Sequence, residues 1–182
     1  MARLPYVDPA SAPEQVRELL ERLPVKLNIF RMMAHATTDF RPLVGLGSAI
    51  LARQKLSPKL RELAILRVAA LSPARYEWVQ HVPIAQATGA TAAQITALER
   101  GELTADVFDA VERAVLRFTT EVLCDVRASE ATFAEAARHL SAQEIVELIV
   151  TVGYYMLIAR LLETTAVDLD PPSGTKVVDA IR

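Results

Sequence analysis

The chain has 182 residues, 52% of them apolar and only 5% aromatic, a balance that predicts one soluble all-α domain with a sizeable core and a terminal arm. A net charge of −2, with no stripe of Lys and Arg and no aromatics set among basic residues, argues against nucleic-acid binding. The single cysteine, Cys124, permits neither an internal disulfide nor a cysteine-based zinc site, and its helical context reads as a buried, packing thiol.

Residues 1–10 read as extended, with Pro5 and Pro9 and no periodicity. No long apolar run follows the charged start, so no signal peptide is expected and a cytoplasmic location is. Ser11-Ala12-Pro13-Glu14 has capping-box spacing, and Val16, Leu19, Leu20 and Leu23 then form an amphipathic stripe that Pro24 ends. Asn28 is placed to cap a short helix through His35, whose ring suits the negative end of the helix dipole. Thr37 or Thr38 starts the next helix, to about Gln54. Pro42 is tolerated in its first turns, and Gly45 and Gly47 permit a close neighbour.

Two helices follow, separated at Leu71-Ser72-Pro73. Ser57-Pro58 and Ser72-Pro73 each read as a Ser cap followed by Pro at the first helical position, where a missing N–H costs nothing. Gly89 closes the second helix. Thr91-x-x-Gln94 opens a short helix ending at Gly101. A longer one over about 105–126 has a buried stripe of Val107, Val111, Ala114, Val115, Phe118, Val122 and Leu123. Ser129 caps a short helix to about Leu140, and Ser141-x-x-Glu144 opens a strongly apolar one to about Thr164. Within it, Glu147, Gly153 and Arg160 interrupt the run from Ile145 to Leu162. The uncharged part is about a dozen residues against the roughly twenty of a membrane span, which predicts a buried helix. The tail from residue 168 is turn-rich, either loose or docked on a partner subunit. No strand is expected. The organisation is an arm and helix over 1–27, a helical domain over 28–167 and a tail over 168–182, with about eight helices in all.

The chemistry gathers in the two middle helices. The first is apolar nearly all round, with Leu60, Leu63, Ala64, Ile65, Leu66, Val68, Ala69 and Ala70, so it is expected to be buried, yet it carries Glu62. The second carries Glu77 and His81, four apart on one face. A short break packs such helices side by side. Two carboxylates and an imidazole would then meet in an apolar interior, where ionisable groups are costly unless paired or put to use.

LSPKLRELAILRVAALSPARYEWVQHV resembles the core motif of the carboxymuconolactone decarboxylase family, which includes the alkylhydroperoxidase D-like proteins. The most specific parts are RELAILRVA and the following YEWxxHV, and the resemblance runs from about Asn28 to Val167. It implies an all-α, alkylhydroperoxidase D-like helical bundle, a small-molecule substrate and assembly into dimers, trimers or hexamers. In the family's peroxidase branch a CxxC pair opens the second helix, a His follows four residues after the second Cys, and a Glu on the preceding helix completes the relay. Glu62 matches that Glu and His81 that His. Ala74 and Glu77 stand where the two cysteines would be, so the redox pair is absent and acid–base chemistry is the branch to consider.

An imidazole between two carboxylates holds its proton more tightly, while burial opposes this. The group would therefore titrate as a coupled unit with a proton movable near neutral pH. That suits proton transfer to and from carbon, as in decarboxylation of a small carboxylic acid or lactone. The expected catalytic residues are His81 as proton donor, Glu77 to orient it or accept a proton, and Glu62 as relay. Tyr76 and Arg61 are candidates to hold a substrate carboxylate or lactone, and Trp78 is expected to pack. His with two carboxylates is a possible ligand set, but no second His accompanies it, so neither a metal nor another cofactor is expected. Two other functions stand beside the lyase: an alkylhydroperoxidase-like antioxidant, against which the missing cysteines argue, and a non-catalytic oligomeric binding protein.

Overall fold

The computed structural model describes residues 1–181, which form ten α-helices, one 3-10 turn and no strand. After the turn at Pro9–Ser11 come α1 (Glu14–Arg22), α2 (Asn28–Met33), α3 (Phe40–Arg53), α4 (Pro58–Leu71) and α5 (Arg75–Ala87). They are followed by α6 (Ala92–Arg100), α7 (Ala110–Asp125), α8 (Glu130–Ala137), α9 (Ala142–Thr165) and α10 (Gly174–Ile181).

The bundle is built around α4. Every residue from Arg61 to Ala69 is buried, as an all-round apolar helix requires. It packs against α5, α7 and α9. On one side Ile65 and Val68 join Phe118, Leu148 and Val152; on the other Leu63 and Leu66 join Leu98, Phe108 and Leu116. Each such side chain contributes about 1.5–3 kcal/mol by leaving water. A third cluster, including Val16, Leu20, Met33, Phe40, Ile158 and Leu162, attaches the first three helices to α5 and α9.

Helix starts follow the capping chemistry, with some displacements. The boxes at Thr91 and Ser141 form, and the Ser129 side chain accepts from the Thr132 N–H. Gly89 and Gly101 take the left-handed conformation, with φ of 103° and 74°. Helix α7 starts later than its apolar spacing suggests, because Asp109 and Glu112 make a reciprocal capping box. Val107 is thereby left outside the helix and exposed. Cys124 is also exposed, on the outer face of α7, and not a buried thiol.

Ser11 does not cap α1. Asp8 caps the preceding 3-10 turn, the Ser11 hydroxyl donates to the Asp8 carbonyl, and Pro13 takes the position before α1. Ser57 precedes α4 without a side-chain cap bond. Ser72 ends α4 instead of starting α5; the Ala74 N–H folds back onto the Ala69 carbonyl, and α5 begins at Arg75. Helix α3 starts at Phe40, after a turn in which the Phe40 N–H donates to the Ala36 carbonyl. His35 lies beyond the end of α2, and its Nε2 donates to the Pro5 carbonyl. A Cβ on Gly47 would lie 2.5 Å from the Tyr154 hydroxyl, so the close neighbour expected there is Tyr154, whereas Gly45 faces open space.

Helix α9 departs from expectation in two ways. It has 24 residues and is long and apolar enough, by length and composition, to cross a membrane. Its inner face is core, through Leu148, Val152, Tyr155 and Ile158, but Val146, Ile149, Val150 and Leu157 are exposed on the opposite face. The tail is not loose: α10 docks on α5 of its own chain. Asp168 holds the N-terminal arm through the Ala2 N–H and the Tyr6 hydroxyl, 2.9 Å away.

Candidate functional site

Glu62 lies in the middle of α4 with 0% exposure. Ionised burial is tolerated only with partners of good geometry. Its Oε2 is 2.8 Å from Nδ1 of His81, and its Oε1 accepts from Nε of Arg61 at 3.1 Å. Arg61 is buried too; it also donates to the Ile50 carbonyl at 3.3 Å and keeps one guanidinium nitrogen without a partner. A carboxylate only accepts, so Nδ1 carries the proton that faces Glu62, and this bond sets the tautomer and orientation of the ring. The other nitrogen, Nε2, has no hydrogen-bond partner among the described residues. The ring stands edge-on to Tyr155, with centroids 4.9 Å apart.

Glu77 occupies the first turn of α5, one turn before His81, and is buried. Both carboxyl oxygens lack a hydrogen-bond partner among the described residues. Burial, and then the charge of Glu163, push its pKa well above the usual carboxylate range. An unpaired buried carboxylate is costly, so this environment holds the neutral acid. Tyr154 donates to the Leu43 carbonyl, and its hydroxyl is pushed up to about 12 by burial and by Glu77.

Glu77 and His81 line one cavity of about 120 Å³. Its other walls are Phe30 and Met33 of α2, Gly47 and Leu51 of α3, Tyr154, Tyr155 and Ile158 of α9, and Gly174 and Val177 of α10. Helix pairing thus brings Glu62, Glu77 and His81 into one buried region, with Glu62 behind the imidazole and Glu77 beside it. The other two candidates are placed differently from expectation. Arg61 does not line the cavity, because a guanidinium buried on α4 turns to the carboxylate next to it. The ring of Tyr76 does line it, but the hydroxyl donates to Asp170 in the tail. Trp78 packs in the core beside Leu63 and Leu66.

The tail completes the site. Asp170 accepts from Tyr76 and from the Asn28 N–H at 2.6 Å, so Asn28 is tied to the tail and does not cap α2 with its side chain. The Gln80 amide donates to the Asp170 and Pro171 carbonyls at 3.2 and 3.0 Å and accepts from the Ser173 N–H at 2.9 Å. Gly174 abuts the Gln80 carbonyl, where any Cβ would collide. Gln80, Gly174 and Val177 were not among the sequence candidates. The available signal was Ser173 followed by Val177 and Val178 at helical spacing, hidden behind Pro171-Pro172. Among the described residues, no group of three or more His, Cys, Asp or Glu side chains is arranged to hold a metal.

What this arrangement can do is proton transfer. One imidazole nitrogen is fixed by a carboxylate, the other is unengaged among the described residues, and a neutral acid lies one helical turn away in an apolar space.

Residues 40–121 match the model of the carboxymuconolactone decarboxylase family. No curated protein matches the chain. Among solved structures, it is similar to an alkylhydroperoxidase AhpD core protein, an uncharacterized peroxidase-related protein from Ralstonia eutropha JMP134. The identity is 20% and the TM-score 0.78, with 100% of this chain and 97% of that one covered. An uncharacterized peroxidase-related protein from Silicibacter sp. TM1040 is similar at 17% identity and a TM-score of 0.77, covering 93% and 92% of the two chains. The debrominase Bmp8 in complex with 2,3,4-tribromopyrrole is similar at 18% identity and a TM-score of 0.75, with 100% of both chains covered. At these identities the likeness establishes a shared fold, the alkylhydroperoxidase D-like bundle.

Proposed function

We propose, from the match of residues 40–121 to the carboxymuconolactone decarboxylase family, that the protein is a cofactor-free acid–base enzyme moving a proton at carbon in a small lactone or carboxylic acid. The observation that carries this is the 2.8 Å bond between Glu62 and His81, with His81 lining an apolar cavity.

In a decarboxylation, carbon dioxide leaves, the bonding electrons pass into an enolate, and carbon then takes a proton. In an isomerisation the proton is first removed from carbon and then returned. His81 serves both through Nε2, and Glu62 stabilises the imidazolium while it exists. Glu77, as a neutral acid, donates a hydrogen bond to the oxygen on which charge develops. The apolar walls keep water from competing and strengthen both interactions. A positioned acid or base of this kind is worth about 10²–10⁴ in rate.

A thiol peroxidase reading has less support. Cys124, the only cysteine, is exposed at the end of α7, and the two positions matching the redox pair are Ala74 and Glu77. Bmp8 is described with a small ring compound, and a cavity of about 120 Å³ suits a ligand of that scale. The same proposal places the protein in the cytoplasm as a homo-oligomer, on the strength of the family resemblance.

The test is hydrogen exchange at carbon. Enol-lactones and β-keto acids incubated with the protein in deuterium oxide should gain deuterium at the carbon next to the carbonyl, followed by NMR. His81→Ala should abolish the gain while circular dichroism remains that of the wild type. Equal incorporation in the variant would remove His81 from the chemistry.

A further inference from the structure

Three tyrosines line the cavity, and two have committed their hydroxyls. Tyr76 donates to Asp170 and Tyr154 to the Leu43 carbonyl. The Tyr155 hydroxyl has no hydrogen-bond partner among the described residues, although the residue is buried in the middle of α9. A phenol set in a core usually finds an acceptor, and one that does not costs stability that a Phe of the same shape would not. Packing therefore accounts for the ring of Tyr155 but not for its oxygen.

The surroundings of that oxygen suit a donor. Burial, and then the charges of Glu62, Tyr154 and Glu77, push its pKa well above the ordinary phenol range, so it stays a neutral O–H. Glu62 and Glu77 are also the two carboxyl groups around His81, so the hydroxyl belongs to the reacting end of the cavity. The ring has little freedom to turn. It stands edge-on to the His81 ring, at 4.9 Å and 89°, and to the Tyr154 ring, at 5.3 Å and 83°. Tyr154 is itself held by Leu43 and lies against Gly47, where no Cβ intervenes. A donor fixed before the ligand arrives needs no rearrangement during the reaction.

We infer that Tyr155 is a third functional residue of this site: its hydroxyl donates a hydrogen bond to the substrate oxygen on which negative charge collects. A carbonyl oxygen has two lone pairs and so accepts from Tyr155 and Glu77 together. Tyr155 keeps its proton throughout. The proton exchanged at carbon travels through His81, and the electrons of the broken bond pass to the oxygen that Tyr155 and Glu77 hold. This deepens the proton-transfer reading and rests on it for the reaction, but not for the hydrogen bond to the ligand.

The test compares the wild type with Tyr155→Phe, which keeps the ring and its contacts and removes only the hydroxyl. The probe is cyclopentanone labelled with ¹³C at its carbonyl, followed by NMR in deuterium oxide. Its carbonyl resonance should move downfield on binding the wild type. In Tyr155→Phe that shift should shrink and the affinity fall by about tenfold, the equivalent of one hydrogen bond. The urea midpoint of the variant should equal or exceed that of the wild type, since the hydroxyl has no partner to lose. Equal affinity and equal carbonyl shift in the two proteins overturn the inference, as does failure of the ketone to bind the wild type at millimolar concentration. So does a variant less stable than the wild type, which would make the hydroxyl structural. Deuterium gain at carbon tests the proton-transfer reading in the same sample, and the carbonyl shift is read whether or not exchange occurs.

Discussion

The Glu62 carboxylate and the His81 imidazole, 19 residues apart in the chain, meet at 2.8 Å across the contact between α4 and α5. Glu62 also serves the buried Arg61, so one carboxylate compensates two groups that would otherwise be stranded. Glu62→Ala should cost about 3–5 kcal/mol in urea unfolding, since it leaves Arg61 buried without its counter-charge. Glu62→Gln should keep the shape but lower exchange at carbon by about tenfold or more, because the amide no longer enforces one tautomer on His81. Exchange as fast as the wild type in Glu62→Gln would dismiss the orienting role.

Glu77 should make the protein less stable as pH rises. Burial first, and then Glu163, raise its folded-state pKa. The unfolded chain therefore releases the Glu77 proton at a lower pH than the folded one. Between those two values the folded state binds more protons, and stability falls with rising pH. Each unit of separation is worth about 1.4 kcal/mol. Glu77→Gln should thus be more stable than the wild type at pH 7, with the difference vanishing below the ordinary carboxylate range. The charged or titratable groups near Glu77 are Glu163, His81, Tyr154, Tyr155 and, through His81, Glu62. Chemical denaturation of both proteins across pH measures the sign, and the side-chain carboxyl ¹³C shift of Glu77 reports its protonation directly.

The seat of α10 leaves no space at Gly174. A Cβ there would strike the Gln80 carbonyl and approach Ile84 to 2.8 Å. Gly174→Ala should lift α10 from α5, costing about 1–3 kcal/mol as overpacking and opening one wall of the cavity. Gln80→Ala removes three hydrogen bonds to the same segment and should act in the same direction. Hydrogen exchange over residues 170–181 reads both, and protection equal to the wild type would disprove the seat.

The outer face of α9 exposes Val146, Ile149, Val150 and Leu157 at helical spacing, a stripe of the kind that marks association surfaces. If the chain forms a homo-oligomer through this face, Ile149→Glu should shift its sedimentation to the monomer while the helical signal persists. An assembly that tolerates the charge uses some other surface.

Much of this molecule was legible in its letters because the forces that write it act over short distances. Ser141 with Glu144 and Thr91 with Gln94 announce helix starts, since a cap bond spans only three residues. The apolar run from Leu63 to Ala69 announces a core helix, and Glu77 with His81 announces a shared face. What the order of residues left open depended on packing between distant segments. Arg61 was turned from the cavity by Glu62, because a buried guanidinium needs the carboxylate beside it. Tyr76 gave its hydroxyl to Asp170, and Gln80 became a clamp, only because the last helix returns to α5. The tail's prolines and glycine mark a turn, and no local rule says where the chain goes after it. That return closes the cavity around His81, and it follows from contacts between residues some ninety positions apart.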